Sequence, residues 1–528
     1  MKVELLNQLP AEVRLPVEQH WQALEDALAD AKKRAEQEIK LLKEHVRLLL
    51  AEKYGVKSEK LSDLQMQLLN EEPGVAKQEA EGEAKRTAAE KEQLETAAKS
   101  KPRAHPGRNE FPAHLPRREN VIACAPEDCR CAKCGKETKV IGYDQSEELD
   151  IEPVKYVVNV NKFEKRACPT CPEAGVDTAP APAKIIEKSK AANRLVVDVV
   201  VKKYADHLPL YRQAVILERE IGLELTRATL CGWVMKAGEL MQAVSREMTK
   251  DLLLGGYIQA DETRVDVHNK KALGKNHQAY LWEYSRPGGP VVFDFRMGRG
   301  REGPRLFLKD FAGILQSDGY SAYAEIGGPG LTHAGCMAHA RREFVEALKV
   351  DPDNKTALAI VESIGALYAV EATAREQGLS AEQRLALRKE KSAPQLALIK
   401  EQIFKARKEA LPKSQLGKAC DYAMGQWPRL AVYAEHGEVE IDNNWCENAI
   451  RPLAVGRKNW LHIGDEEAGP RVAAIASVFE TCRRYAINVR DYLNDVLPKL
   501  AVGKSSDVPS LTPMAWAKQK ADTSAAAR

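Results

Sequence analysis

The sequence predicts a multidomain α/β protein. Its 528 residues are the length of about three to four domains. Helical periodicity marks residues 14–55 and 210–240, and a run of short strand patterns follows Leu252 before helix formers return at 351–437. Lys+Arg 79 against Asp+Glu 76 leaves a formal charge of only +3, so any nucleic-acid surface has to be local. No stretch reads as about eighteen consecutive apolar residues, and MKVELLNQLPAEVRLP lacks the apolar core of a signal peptide, so a cytoplasmic protein with no membrane contact is expected. Eleven cysteines are too sparse for a disulfide scaffold, and six of them fall between Cys124 and Cys171, which points to metal.

Residues 1–62 are expected to hold a coiled-coil helix ending near Gly55. Trp21, Leu28, Ala35, Leu42 and Leu49 recur every seven; Leu24 and Ala31, then Ile39 and Val46, supply the second seam. Two readings stand: self-association into a homo-oligomer, or a helix packed on its own domain. Residues 63–118 read as a charged linker with almost no large apolar side chain, followed by a basic, proline-marked arm that either lies on phosphates or tethers.

Residues 119–182 carry two knuckles, Cys131-Ala-Lys-Cys134 and Cys168-Pro-Thr-Cys171. Each turns two sulfurs toward one point, and four thiolates suit one tetrahedral Zn²⁺, so a structural zinc ribbon is expected. VKYVVNVNKF between them has strand character, and Cys129 is an alternative ligand to Cys131.

Residues 183–250 read as a helix-turn-helix, with the helices of Leu210–Leu240 broken at Ile221-Gly222-Leu223. Thr226 is the expected N-cap; Leu230, Trp233 and Val234 face inward, leaving Arg227, Thr229 and Lys236 for DNA. Lys184, Lys188, Lys190, Arg194, Lys202 and Lys203 upstream suit phosphates. Two helices packed in an ordinary α domain would give the same pattern.

From 251 to 350, GYIQADETRVDV, QAYLWEYSR and VVFDFRMG give three strands, then a short helix and the strand AGILQSDGY. That order is the order of a ribonuclease-H-like sheet. In the first strand Glu262, Arg264, Asp266 and His268 share one face, and Asp261 shares the other with Thr263, Val265 and Val267. Asp318, before Gly319, closes the fourth strand at its carboxyl end, where open sheets build their sites. A turn and a strand-end cap are the bland alternatives. In 438–502, IDNNWCENAIRPLAVGRKNWLHIG sets Glu447 and Arg451 one helical turn apart, among Asn443, Asn444, Arg457, Lys458, Asn459 and Trp460, with Asp442 as a competing third carboxylate. Residues 351–437 form a helical insertion, a DNA or partner clamp or inert bulk, and 503–528 a weakly ordered tail. Cys336 and His339 offer only two ligands and read as a buried thiol and a satisfied histidine.

The ordered set ADETRVDV, LQSDGYSAY, GCMAHARREF and IDNNWCENAIRPLAVGRKNWL resembles the DDE transposases of the insertion-sequence-66 family. KYGVKSEKL, FPAHLPR, the knuckles and KYADHLPLYRQ extend the resemblance over nearly the whole chain. It implies catalytic Asp261, Asp318 and Glu447 holding two Mg²⁺ (or Mn²⁺) ions, with Arg451, Arg457 and Lys458 on phosphates. It also implies water nicking an element end and the freed 3′ hydroxyl attacking target DNA, with other proteins of the element as possible partners. The chain departs at Met337, Asn448 and His462, where the pattern implies Trp, Arg and an aromatic, which puts contacts around Glu447 in question. A DNA-binding regulator without catalysis and a structure-specific nuclease are the alternatives.

Overall fold

The structure is a computed structural model; it describes residues 11–54, 156–161, 165–167, 176–178, 182–187, 189–268, 276–411, 413–503 and 505–526. The chain divides into two units, residues 88–180 and the remainder.

In the smaller unit, β1 (Lys165–Ala167) pairs antiparallel with β2 (Val176–Thr178), Lys165 opposite Thr178, on either side of the knuckle that holds Cys168 and Cys171. Cys131, Cys134, Cys168 and Cys171 lie outside the described residues, as do Cys124 and Cys129. The strand expected across VKYVVNVNKF is corrected over 156–161, which has no regular structure. Val157, Val158 and Val160 are all exposed there, and β-branched residues favour strands only where a neighbour buries them.

The larger unit begins with α1 (Ala11–Tyr54), which ends one residue before the expected Gly55. Its seam residues Trp21, Leu24, Leu28, Ile39, Leu42 and Val46 are exposed in the single chain. Three helices follow: α2 (Asn193–Tyr204), α3 (Leu210–Ile221) and α4 (Arg227–Leu254). Gly222 stops α3 in the left-handed region at φ 65°, donating to the Glu218 carbonyl. Thr226 caps α4 by accepting from the Thr229 N–H at 3.1 Å. Leu230, Trp233 and Val234 are buried, but α4 runs for 28 residues and shares one hydrophobic core with the sheet. The region expected as a separate helix-turn-helix therefore has no core of its own.

The sheet holds β3 (Tyr257–Val267), β4 (His277–Ser285), β5 (Val291–Arg296), β6 (Ile314–Gln316) and β7 (Thr332–Ala334), with α5 (Glu302–Leu308) between β5 and β6. The strand order is β5-β4-β3-β6-β7. β3 runs antiparallel to β4 and β4 to β5, whereas β6 is parallel to both β3 and β7. Three residues of β7 are too few to show a period, and it was not anticipated.

α6 (Met337–Val350), α7 (Lys355–Glu376), α9 (Ala393–Glu409) and α10 (Gln415–Leu430) form a second core against Tyr257, Ile314 and Ala334 of the sheet, while the short α8 (Ala381–Leu387) buries none of its residues. Contrary to expectation, α7 is long and apolar enough to pass for a membrane span, yet Ile360, Val361, Ile364, Leu367 and Tyr368 are all buried in this core. Fully buried Arg388 binds Glu371 through two bonds of 2.7 Å and donates to the carbonyls of Tyr433 and His436.

α11 (Asn444–Trp460) packs on β3 and β4. α12 (Gly469–Arg484) covers the edge of β5, where the Val291 and Phe293 N–H groups donate to Thr481 Oγ1 at 3.0 Å and Ser477 Oγ at 2.8 Å. These bonds satisfy the open side of an edge strand. α4 crosses α12 at Gly238, where an added Cβ would stand 2.9 Å from Arg471 Cβ. The tail is better ordered than expected. After α13 (Val489–Val502), α14 (Pro513–Ala526) is anchored by Trp516, whose Nε1 donates to Asp495 at 2.7 Å and whose ring meets Tyr492 edge-on at 5.5 Å. One aromatic anchor is invisible to a composition-based reading.

Candidate active site

Along β3 burial is continuous from Tyr257 to Ala260, partial over Asp261, Glu262 and Thr263, and alternates from Arg264, with Val265 and Val267 buried, Arg264 and Asp266 exposed. Asp261 sits where the strand leaves the core, its Oδ1 accepting the Glu262 N–H at 2.8 Å. Asp318 lies two residues past β6; its Oδ1 accepts the Tyr320 N–H at 2.8 Å, and its carbonyl accepts the Tyr422 hydroxyl at 2.8 Å. Gly319 follows at φ 89°, a conformation open to glycine at no steric cost. Glu447 occupies the first turn of α11.

The fold brings these carboxylates together. Asp261 is held well above the usual carboxylate range, first by burial and then by the charges of Glu447, Glu262 and Asp318. Of these, Glu262 is already engaged by Arg299 at 2.7 Å and the Tyr323 hydroxyl at 3.0 Å. Asp442, the competing carboxylate, is fully buried; it accepts from the Tyr368 hydroxyl at 2.9 Å and the Asn444 N–H at 3.1 Å. It holds the entry to α11. Crowded hard oxygens that repel one another fit a divalent cation, and Glu447 Oε1 makes no hydrogen bond among the described residues.

Two glutamines escaped the sequence reading. Gln259 and Gln316 precede Asp261 and Asp318 by two residues each, in the repeated pattern Gln-Ala-Asp and Gln-Ser-Asp, which was the available signal. Gln259 donates to the Asp442 carbonyl at 2.8 Å and accepts the Cys446 N–H at 3.3 Å; Gln316 donates to the carbonyls of Gly335 and Glu440 at 2.9 and 2.8 Å. His339 also belongs here, its Nδ1 3.5 Å from Glu447 Oε1, while Arg342 stands 3.6 Å from Glu447 Oε2. His339 is not the satisfied histidine expected, because Nδ1 is buried without a hydrogen bond among the described residues. Cys336 is the buried thiol expected.

Arg451 and Lys458 are exposed on α11. Arg457 instead turns inward, donating to Thr263 Oγ1 at 2.9 Å and to the Arg264 carbonyl, so it ties α11 to β3. Asn443 and Asn444, expected as groups for phosphates and bases, are buried. Trp460 packs under Lys203 at 5.4 Å, and burial pulls the Lys203 ammonium down to about 8. Arg227 is exposed, Thr229 hydrogen-bonds Thr226 at 2.9 Å, and Lys236 pairs with Glu239 at 3.0 Å. Of the departures, Met337 is buried in the second core, Asn448 hands its carbonyl to Arg483 at 3.1 Å, and His462 faces His268 at 5.7 Å. A cavity of about 250 Å³ between α4, β5 and α12 is lined by none of the three carboxylates.

Residues 188–471 match the family described as Transposase IS66 family, a span that contains Asp261, Asp318 and Glu447. The chain belongs to the IS66 transposase family. Residues 128–172 match the zinc-finger binding domain of transposase IS66, a range that includes all four knuckle cysteines, and residues 41–119 match a domain described as Transposase C of IS166 homeodomain. An IS66 transposase domain and a zinc finger thus share one chain. Two relatives from Sinorhizobium fredii (strain NBRC 101917 / NGR234) are similar: Uncharacterized protein y4qI is 33% identical over 508 residues, 92% of this chain and 90% of its own. Uncharacterized protein y4jD is 31% identical over 426 residues, 77% of this chain and 81% of its own.

Proposed function

We propose that this IS66 transposase cuts the ends of its element and joins the freed 3′ hydroxyl to target DNA, using Asp261, Asp318 and Glu447. The observation that carries the reading is the convergence of three carboxylates from β3, the end of β6 and α11, where burial first and the charges of Glu447 and Asp318 after it raise Asp261. The order β5-β4-β3-β6-β7, antiparallel on one side of β3 and parallel on the other, supports a ribonuclease-H-like core.

Asp261, central among the three, would be shared by two divalent cations, Mg²⁺ or Mn²⁺, with Asp318 and Glu447 each completing one. Two such ions, when bound, activate an attacking oxygen and stabilise the leaving oxygen of an in-line phosphoryl displacement. The chain's own groups hold and orient the DNA. Arg451, one turn beyond Glu447, and Lys458 present exposed cations to phosphates. Arg457 keeps α11 seated on β3 instead. Arg227, Thr229 and Lys236 stand at the start of α4 as candidate DNA contacts, and Cys131, Cys134, Cys168 and Cys171 as the zinc ligands of the finger. The exposed seam of α1 suits a second copy of the chain on DNA.

The test is a labelled element end with Mg²⁺, comparing the wild type with Glu447→Gln. Cleavage and 3′-end joining by the wild type, both lost in the variant, are expected. Equal cleavage by the two proteins would refute the glutamate assignment, and cleavage without joining would indicate a nuclease.

A further inference from the structure

α6 begins beside the catalytic carboxylates, and its first turn carries His339 on the side of Glu447. His339 Nδ1 and Glu447 Oε1 stand 3.5 Å apart; both are buried, and neither makes a hydrogen bond among the described residues. A charge-assisted bond between an imidazole and a carboxylate closes to about 2.7–2.9 Å. Two ligand atoms about 2.1 Å from a shared ion stand about 3 Å apart when at right angles, and somewhat farther in a tetrahedral arrangement. The observed separation is that of two ligands of one cation rather than of a hydrogen-bonded pair. Arg342, 3.6 Å from Glu447 Oε2, holds the far oxygen and leaves Oε1 toward His339.

Cys336 Sγ belongs to the same group, the three ligand atoms lying within 4.8 Å of one another. Its sulfur accepts the Asn443 N–H at 3.5 Å and is buried, so it fastens the start of α6 to the turn that launches α11. That turn sets Glu447. Cys336 is thereby a positioning residue, and His339 the group left facing the carboxylate.

We propose that His339 is a fourth protein ligand of the catalytic metal centre, sharing through Nδ1 the cation held by Glu447, and that its nitrogen makes this position favour Mn²⁺ over Mg²⁺. The selectivity follows from ligand chemistry: Mn²⁺ shares the oxygen preference of Mg²⁺, but as a first-row transition metal it accepts a nitrogen ligand more readily than the harder Mg²⁺ does, so one imidazole in a carboxylate set tips the balance toward Mn²⁺. The inference rests on the three-carboxylate reading, and the experiment separates the two.

The zinc-loaded full chain is titrated with Mn²⁺ and studied by pulsed electron paramagnetic resonance, which detects nitrogen bound directly to Mn²⁺. Imidazole nitrogen coupling is expected in the wild type and its loss in His339→Gln. His339→Asp, an oxygen replacement, is expected to retain Mn²⁺ without the coupling and to lose about tenfold of the preference for Mn²⁺ over Mg²⁺. Mn²⁺ binding that depends on Glu447 but shows no nitrogen coupling would overturn the proposal and leave the carboxylate triad standing; so would coupling that survives in His339→Gln. Mn²⁺ binding indifferent to Glu447→Gln would bring down the triad and the proposal together.

Discussion

Gln259 and Gln316 face each other across the parallel strands β3 and β6, with Gln259 Nε2 donating to Gln316 Oε1 at 2.9 Å. The Tyr257 hydroxyl closes the set, donating to Gln316 Oε1 and accepting from Gln259 Nε2 at 2.8 Å. Their remaining bonds reach the segments before His339 and Glu447, so one buried amide pair ties together the strands and turns that carry the site. Gln259→Leu would remove the bonds from Gln259 to the Asp442 carbonyl and the Cys446 N–H, the latter keeping its 3.0 Å bond to the Asn443 carbonyl, at about 1–3 kcal/mol in all. We expect a lowered denaturation midpoint and cleavage reduced more than DNA affinity, because α11 is displaced while its exposed cations remain. Equal losses in both would point to unfolding alone.

Asp261 supplies a second prediction. Its carboxyl is raised by burial and by neighbouring acids, so the metal-free native state holds a proton more tightly than the unfolded chain does. Stability is therefore fullest at acid pH and falls as pH rises through and above the ordinary carboxylate range. Asp261→Asn should remove this dependence and raise metal-free stability at pH 7 by about 1 kcal/mol, the scale of relieving an active-site strain, while abolishing cleavage. Thermal melts with and without Mg²⁺ check it. The wild type should gain from the cation, and the variant should not.

Glu283 makes a pH prediction at a different place. It is fully buried against Cys446, and burial pushes it up to about 8 despite the opposing Arg484 and the bond from the Cys446 thiol. An unfolded glutamate titrates near about 4.3. Between these values the native state retains a proton that the unfolded state has lost, so stability falls as pH rises, by up to about 1.4 kcal/mol per pH unit. Glu283→Gln should flatten that slope from about pH 4.3 to 8, read from chemical denaturation at several pH values. An unchanged slope would mean that Glu283 is ionised in the fold.

Arg388 and Glu371 anchor the helical insertion with both members buried. Arg388→Met leaves the Glu371 carboxylate, among the described residues, with Arg384 at 3.6 Å, and should cost about 3–5 kcal/mol. Arg388→Met with Glu371→Leu should recover much of the loss, since no charge is then left uncompensated. Differential scanning calorimetry of the three proteins tests the pair.

Strand patterning made β3, β4 and β5 legible, and the helix formers of 351–437 marked the insertion as helical without separating its helices. Strand patterning failed at β7, which spans three residues, and at 156–161, where valines without a burying neighbour do not form a strand. Asn443, Asn444 and Arg457 read as DNA-facing because their chemistry suits DNA; burial and a bond to Thr263 redirect them. Chemistry belongs to the residue, and accessibility to its neighbours.

By itself the sequence determined the order of the elements, the helix starts at Thr226 and near Glu447, and the carboxylates available to a site. Only the tertiary structure decided which of them meet. Asp442 and Glu447 are five positions apart in one polar segment, yet a hydrogen bond from Tyr368 draws the first into the core while Glu447 stays beside Asp261. The contacts that make this choice join residues as far apart as Gln259 and Asp442, 183 positions along the chain. A local pattern records which face of an element is buried, but which distant element covers that face is settled by packing and by the need of every buried donor for an acceptor.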